Sequence, residues 1–142
     1  MNRITLVTLG VADLPASKAF YERLGWVAAD SPPSVAFFRM GRLNFGLYGL
    51  DDLAREMGRT ADALGRGASS LSVNFDTTDA VDAAFDAARA AGATALRAPA
   101  PVEWGGHTSY WSDPDGHVWE YAHNPFWPLD ADGWLDPDTD GV

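Results

Sequence analysis

At 142 residues the chain holds one domain, or two small half-domains sharing a core. It is 46% hydrophobic and 21% charged, which excludes disordered and fibrous classes. With 20 acidic against 10 basic side chains the net charge is −10, which repels nucleic-acid phosphates and anionic lipid and is compatible with a cationic small ligand.

There is no cysteine, so disulfides, thiolate metal sites and cysteine nucleophiles are excluded. Met1 to Thr5 lead into a strand pattern without the regions of a signal peptide, and no apolar run nears the ~20 residues that span a bilayer. Cytoplasmic residence is the expectation.

Ile4 to Val11 is rich in β-branched and aliphatic residues and reads as a strand. Asp13 then supplies an N-cap, Pro15 sits in the first turn, Phe20 and Leu24 recur four apart, and Gly25 offers a C-cap, which predicts a short helix. Ser34 to Met40 and Arg42 to Gly49 cluster apolar residues around Gly41 and read as a hairpin. Asp51 to Gly67 reads as a short helix, from Asp51 or Asp52 to Met57, and a polar linker.

The order then starts again. Ser70 to Phe75 reads as a strand, Thr77 or Thr78 can cap a helix, and Val81, Ala84, Phe85 and Ala88 fall at i, i+3, i+4 and i+7 before Gly92 stops it. Thr94 to Leu96, His107 to Ser112 and His117 to His123 follow as strands, the last two joined by the turn Asp113-Pro114-Asp115-Gly116. Each half reads β-α-β-β-β, the mark of an internal duplication. The expected organisation is an α+β domain over residues 1–126, with modules at about 3–50 and 68–124, linker 51–67, and an acidic C-terminal tail, 127–142. Phe126-Trp127-Pro128-Leu129 forms an apolar, proline-bracketed anchor, and the residues from Asp130 onward are expected to be loose.

Val7-Thr8-Leu9-Gly10-Val11-Ala12-Asp13-Leu14 with Phe20-Tyr21-Glu22-Arg23-Leu24-Gly25-Trp26, and Asp113-Pro114-Asp115-Gly116-His117-Val118-Trp119-Glu120, resemble the opening and closing signatures of the vicinal-oxygen-chelate family of glyoxalase I, bleomycin-resistance and extradiol-dioxygenase proteins. The resemblance covers roughly residues 3 to 125. It implies two tandem βαβββ modules whose curled half-barrel sheets surround a concave cleft, with helices outside, a homodimer, and a divalent metal held by one ligand from the first and last strands of each module. Carried over by position, those ligands fall on Leu6, Asn44, Ser70 and Glu120. An alkyl chain, a neutral amide, a hydroxyl and one carboxylate make a poor set for a transition metal, and no metal or other cofactor is expected. His107, His117 and His123 lack helical ligand spacing, and His117 and His123 fall on the opposite strand face from Glu120.

Period-two alternation assigns the faces. Val7, Leu9, Phe45, Leu47, Leu71, Val73, Phe75, Trp119 and Tyr121 form a core face, while Leu6, Thr8, Asn44, Gly46, Tyr48, Ser70, Ser72, Asn74, Val118, Glu120 and Ala122 form a small, polar one suited to lining a pocket. Glu120 is the candidate catalytic base, counter-ion for a cationic ligand, or structural acceptor for Ser70, Ser72 or Asn74. Leu6, Thr8, Asn44, Tyr48, Ser70, Ser72 and Asn74 are candidate ligand-binding residues. Trp104, His107 and Tyr110, beside the Gly105-Gly106 pair, are further candidates, and alternation sends Tyr110 and Trp111 to opposite faces. The expected function is metal-independent binding of a small molecule, the bleomycin-resistance type of activity. The alternative is a lyase, isomerase or dioxygenase using Glu120 as base or residual metal ligand.

Overall fold

A computed structural model describes residues 3–65 and 68–135. The chain divides between Ala68 and Ser69 into two compact units.

The first unit runs β1 (Leu6–Val11), α1 (Leu14–Arg23), β2 (Val35–Met40), β3 (Leu43–Gly49), α2 (Leu50–Glu56) and a 3₁₀ turn, Ala61–Ala63. Asp13 caps α1, its Oδ1 accepting from the Ala16 amide at 3.0 Å, which satisfies an amide the helix itself leaves open. Leu24 is the C-cap residue and Gly25, at φ 91°, turns the chain out of the helix. The sheet order is β1-β3-β2, with β1 and β3 parallel and β2 and β3 antiparallel. The third strand that a full β-α-β-β-β order would add to this half is present only as one bridge, Ala28 to Phe38, and Pro32 and Pro33 beyond it bring no amide donors to a longer ladder. On the helix side Tyr21 stacks on Trp26 at 4.8 Å, and Phe45 meets both rings edge-on.

The second unit runs β4 (Leu71–Asn74), α3 (Thr78–Ala91), β5 (Thr94–Pro101), β6 (His107–Ser112) and β7 (Val118–His123), in the sheet order β4-β7-β6-β5. Here the β-α-β-β-β order is complete. Thr77 caps α3 through the Ala80 amide at 3.1 Å, and Gly92 ends it at φ 112°. Of the expected α3 stripe Val81, Phe85 and Ala88 are buried and Ala84 is half-buried, and Ala91 is buried as well; the helix packs on β5, β6 and β7. Beneath it Trp111 and Trp119 stack at 5.6 Å, and Trp111 is fully buried. Asp113 organises the β6–β7 turn, its Oδ1 accepting from the amides of Asp115 and His117, both at 2.9 Å.

Two expectations need correction. Val7, Leu9, Leu71 and Val73 are only half-buried, since β1 and β4 are edge strands of their sheets. The tail from Asp130 is ordered as far as it is described. Asp130 Oδ1 accepts from the Asp132 and Trp134 amides at 2.9 Å, and Leu129 bridges Leu135. Residues 136–142 lie outside the described residues.

Candidate functional site

In the second unit one row of cross-strand partners runs the width of the sheet. Ser72 on β4 faces Glu120 on β7, Glu120 faces Tyr110 on β6, and Tyr110 faces Arg97 on β5. Directly opposed residues share a face, so hydroxyl, carboxylate, phenol and guanidinium stand side by side, opposite in orientation to Trp111 and Trp119. The Ser72 hydroxyl donates to Glu120 Oε1 at 2.8 Å, and the Tyr110 hydroxyl donates to Glu120 Oε2. The hydrogen bond to Glu120 is the main cause that raises the Tyr110 pKa above the ordinary 10.0, with burial second, so the phenol stays protonated.

Arg97 enters the row through a β-bulge. Ala95 faces Trp111 on the helix side, yet Arg97, two residues on, faces Tyr110, one residue back along β6. Leu96 is therefore the extra residue. An extra residue shifts the alternation by one, which turns Arg97 from the helix side to the Glu120 side. There Arg97 Nη2 donates to the buried Thr108 Oγ1 at 3.1 Å, and the guanidinium lies 6.0 Å from the centre of the Tyr110 ring. Sequence reasoning missed Arg97 because Pro99 and Pro101 argue for ending the strand at Leu96. The overlooked signal is that proline is tolerated on an edge strand.

The remaining sequence candidates are placed as follows. Ser70 stands one residue before β4 and is exposed, and Asn74 faces Ala122 on the face of the row. His107 is not brought to that face. It pairs with His123 on the helix side, and its Nε2 lies 2.7 Å from Asp82 Oδ1 of α3, because it shares alternation with Trp111, not Tyr110. His123 Nδ1 lies 3.0 Å from the Phe75 carbonyl. Trp104 is half-exposed, and its ring lies so close over Gly106 that an added Cβ would come within 2.0 Å of it. That residue is thus tied to its own loop.

In the first unit Leu6 faces Asn44, which faces Arg39, and Thr8 faces Gly46, which faces Phe37. A Cβ on Gly46 would lie 3.2 Å from both the Phe37 ring and Thr8 Oγ1, so these two side chains close over the glycine. Tyr48 is drawn to α2, where its hydroxyl donates to Glu56 Oε1 at 3.0 Å. At the same end Leu50 and Leu53 of α2 cover Gly10, the register partner of Tyr48. A separate groove of about 490 Å³ lined by Trp26, Ala28, Asp30, Phe38, Arg39 and Met40 contains none of the candidates.

The donors do not suit a metal ion. Leu6 and Asn44 give the first unit a hydrocarbon and a neutral amide, while in the second unit Ser70 is a neutral hydroxyl and both oxygens of Glu120 already accept hydroxyl protons. Among the described residues no three His, Asp or Glu side chains gather into a metal-holding group.

Residues 3–121 match the Glyoxalase/Bleomycin resistance protein/Dioxygenase superfamily. The chain belongs to that superfamily. A glyoxalase-related enzyme from Fulvimarina pelagi is similar at 33% identity over 96% of this chain and 98% of its own, with a TM-score of 0.87. A glyoxalase/bleomycin resistance protein/dioxygenase from Nocardioides matches at 25% identity, covering 100% of this chain and 89% of its own, TM-score 0.72. A lactoylglutathione lyase from Agrobacterium tumefaciens, 22% identical over 92% of this chain and 99% of its own with a TM-score of 0.71, shares the fold. No functionally curated protein matches the chain. No helix among the described residues is long and apolar enough to cross a membrane.

Proposed function

We propose that this superfamily member is a metal-independent small-molecule binding protein, with the Glu120 face of the second sheet as its ligand surface. The observation that carries the reading is the engagement of both Glu120 oxygens by Ser72 and Tyr110. A carboxylate at a metal-ligand position of the superfamily is thereby given to an internal hydrogen-bond network, which makes it a fixed polar anchor. Native purification followed by mass spectrometry of retained small molecules tests this, with recovery of a defined organic compound expected. Elemental analysis giving about one Ni, Zn, Fe or Mn per chain after dialysis overturns the metal-independent part.

A second reading is favoured by the 33% identity to a protein described as a glyoxalase-related enzyme. In it Glu120 serves as general base, with the Tyr110 phenol as the adjacent proton donor. Glu120→Gln would then lower kcat about a hundredfold while leaving KM nearly unchanged. Under the binding reading the same variant weakens retention of the ligand and there is no turnover to lose.

We also propose a cytoplasmic homodimer. Phe126 rests over Gly105 yet stays 45% exposed, and an apolar anchor of this kind gains by being covered. Sedimentation equilibrium giving a monomer at micromolar concentration overturns the dimer.

A further inference from the structure

Resting on the binding reading, we propose that Arg97 is the recognition residue for a carboxylate, and that the ligand is a monoanionic organic acid whose body lies along the Tyr110–Glu120 row.

The charge composition points the other way, since the chain as a whole carries −10. Locally the backbone reverses it. The extra residue Leu96 turns Arg97 onto the face of Tyr110 and Glu120, at the cost of a disrupted ladder on an edge strand. A second irregularity, between Arg97 and Ala100, shifts the register by one more residue, so that Ala100 and not Pro99 faces Thr108. Arg97 is thus bracketed by two departures from regular pairing. Its guanidinium is then held by neutral partners alone, the Thr108 hydroxyl and the Tyr110 ring. It forms no ion pair among the described residues, although acidic side chains outnumber basic ones by two to one in this chain.

A guanidinium has five N–H donors in a planar fork that matches a carboxylate in two parallel hydrogen bonds. One donor is used on Thr108, which orients the group and leaves donors for a ligand. Pro99 and Pro101 further along β5 lack amide donors, which discourages a strand from adding to this edge and favours a small molecule over a peptide. The row also limits the ligand's charge. Glu120 stands two strands from Arg97, roughly 10 Å at the usual strand spacing, and its carboxylate repels a second negative charge. A carboxylate monoanion fits better than a phosphate dianion, and Tyr110 between them offers a ring face for an apolar or aromatic body.

The test uses the full chain and three probes, benzoate, phenyl phosphate and benzylamine, titrated while the Arg97 Nε–H and the amides of Ser72, Tyr110 and Glu120 are followed by NMR. Benzoate is expected to give saturable shifts along the row, with phenyl phosphate weaker and benzylamine without saturable effect at Arg97. Arg97→Gln should weaken benzoate about tenfold or more, and Arg97→Lys should recover part of that loss, because it keeps the charge without the fork. Equal benzoate affinity in Arg97→Gln, or tighter binding of phenyl phosphate than of benzoate, overturns the assignment. Saturation by benzylamine alone overturns it too while leaving the binding reading standing. No saturable shift from any probe also overturns it, and the binding reading is then decided separately by the retained-ligand measurement.

Discussion

The two units share a strand-helix-strand plan and use the sheet faces turned away from α1 and α3 differently. In the first, the row Thr8–Gly46–Phe37 closes over a glycine, and α2 covers the Gly10–Tyr48 end. In the second, the row Ser72–Glu120–Tyr110–Arg97 is polar throughout and internally hydrogen-bonded. Both units keep a helix-side core, which must exclude water to hold the unit together, while the opposite face is packed in one and polar in the other.

That difference can be tested by substitution. The largest effect is expected in the part the units share, the aromatic core. Trp111→Ala removes a fully buried ring stacked on Trp119 and should cost about 3–5 kcal/mol in urea unfolding. A loss below about 1 kcal/mol would mean that the second unit does not depend on this stack.

Next comes the polar row. Glu120→Ala takes the acceptor from two hydroxyls at once and should destabilise by about 1–3 kcal/mol, given the strength of hydrogen bonds to a charged group and the partial exposure of this one. It should also let Tyr110 ionise at lower pH, since Glu120 is the main cause of its raised pKa. Tyr121, pushed up to about 12 by burial alone, should not respond. The sign follows from the neutral form being favoured in the fold. The stability these phenols contribute is complete below about pH 10, the value for an unfolded tyrosine, and is lost as pH rises through their higher folded values. Absorbance titration near 295 nm, with thermal melts from pH 9 to 12, measures both.

Smaller and equal effects are expected from the helix caps, which the two units share as a device. Asp13→Ala and Thr77→Ala each remove one side-chain acceptor from an open amide and should each cost about 1 kcal/mol. The smallest effect should come from Asn44→Ala, an exposed position in the first unit, within about 0.5 kcal/mol. Thermal unfolding of the set ranks them. A cost for Asn44→Ala as large as that for Glu120→Ala would remove the contrast between the faces.

By itself the sequence determined what depends on local chemistry and on a period of two or 3.6. The cap at Asp13, a cap at Thr77 or Thr78, the stop at Gly92, the Asp113 turn, most of the α3 stripe and the separation of Tyr110 from Trp111 all follow from local side chain and backbone chemistry within a few residues. The superfamily was legible for the same reason, its signatures being short and local. Tertiary structure decided what depends on which strand a residue meets. The single bridge at Ala28, the closure of Thr8 and Phe37 over Gly46, the capture of Tyr48 by Glu56 and the pairing of His107 with Asp82 arise between elements apart in the chain. Arg97 is the sharpest case. Counting residues along β5 assigns it to the helix side with Ala95, and only the unpaired Leu96, visible once β5 lies against β6, turns it toward Glu120. A bulge changes side-chain direction without leaving a periodic trace in the residues around it, so alternation could find the carboxylate of this row but not its cation.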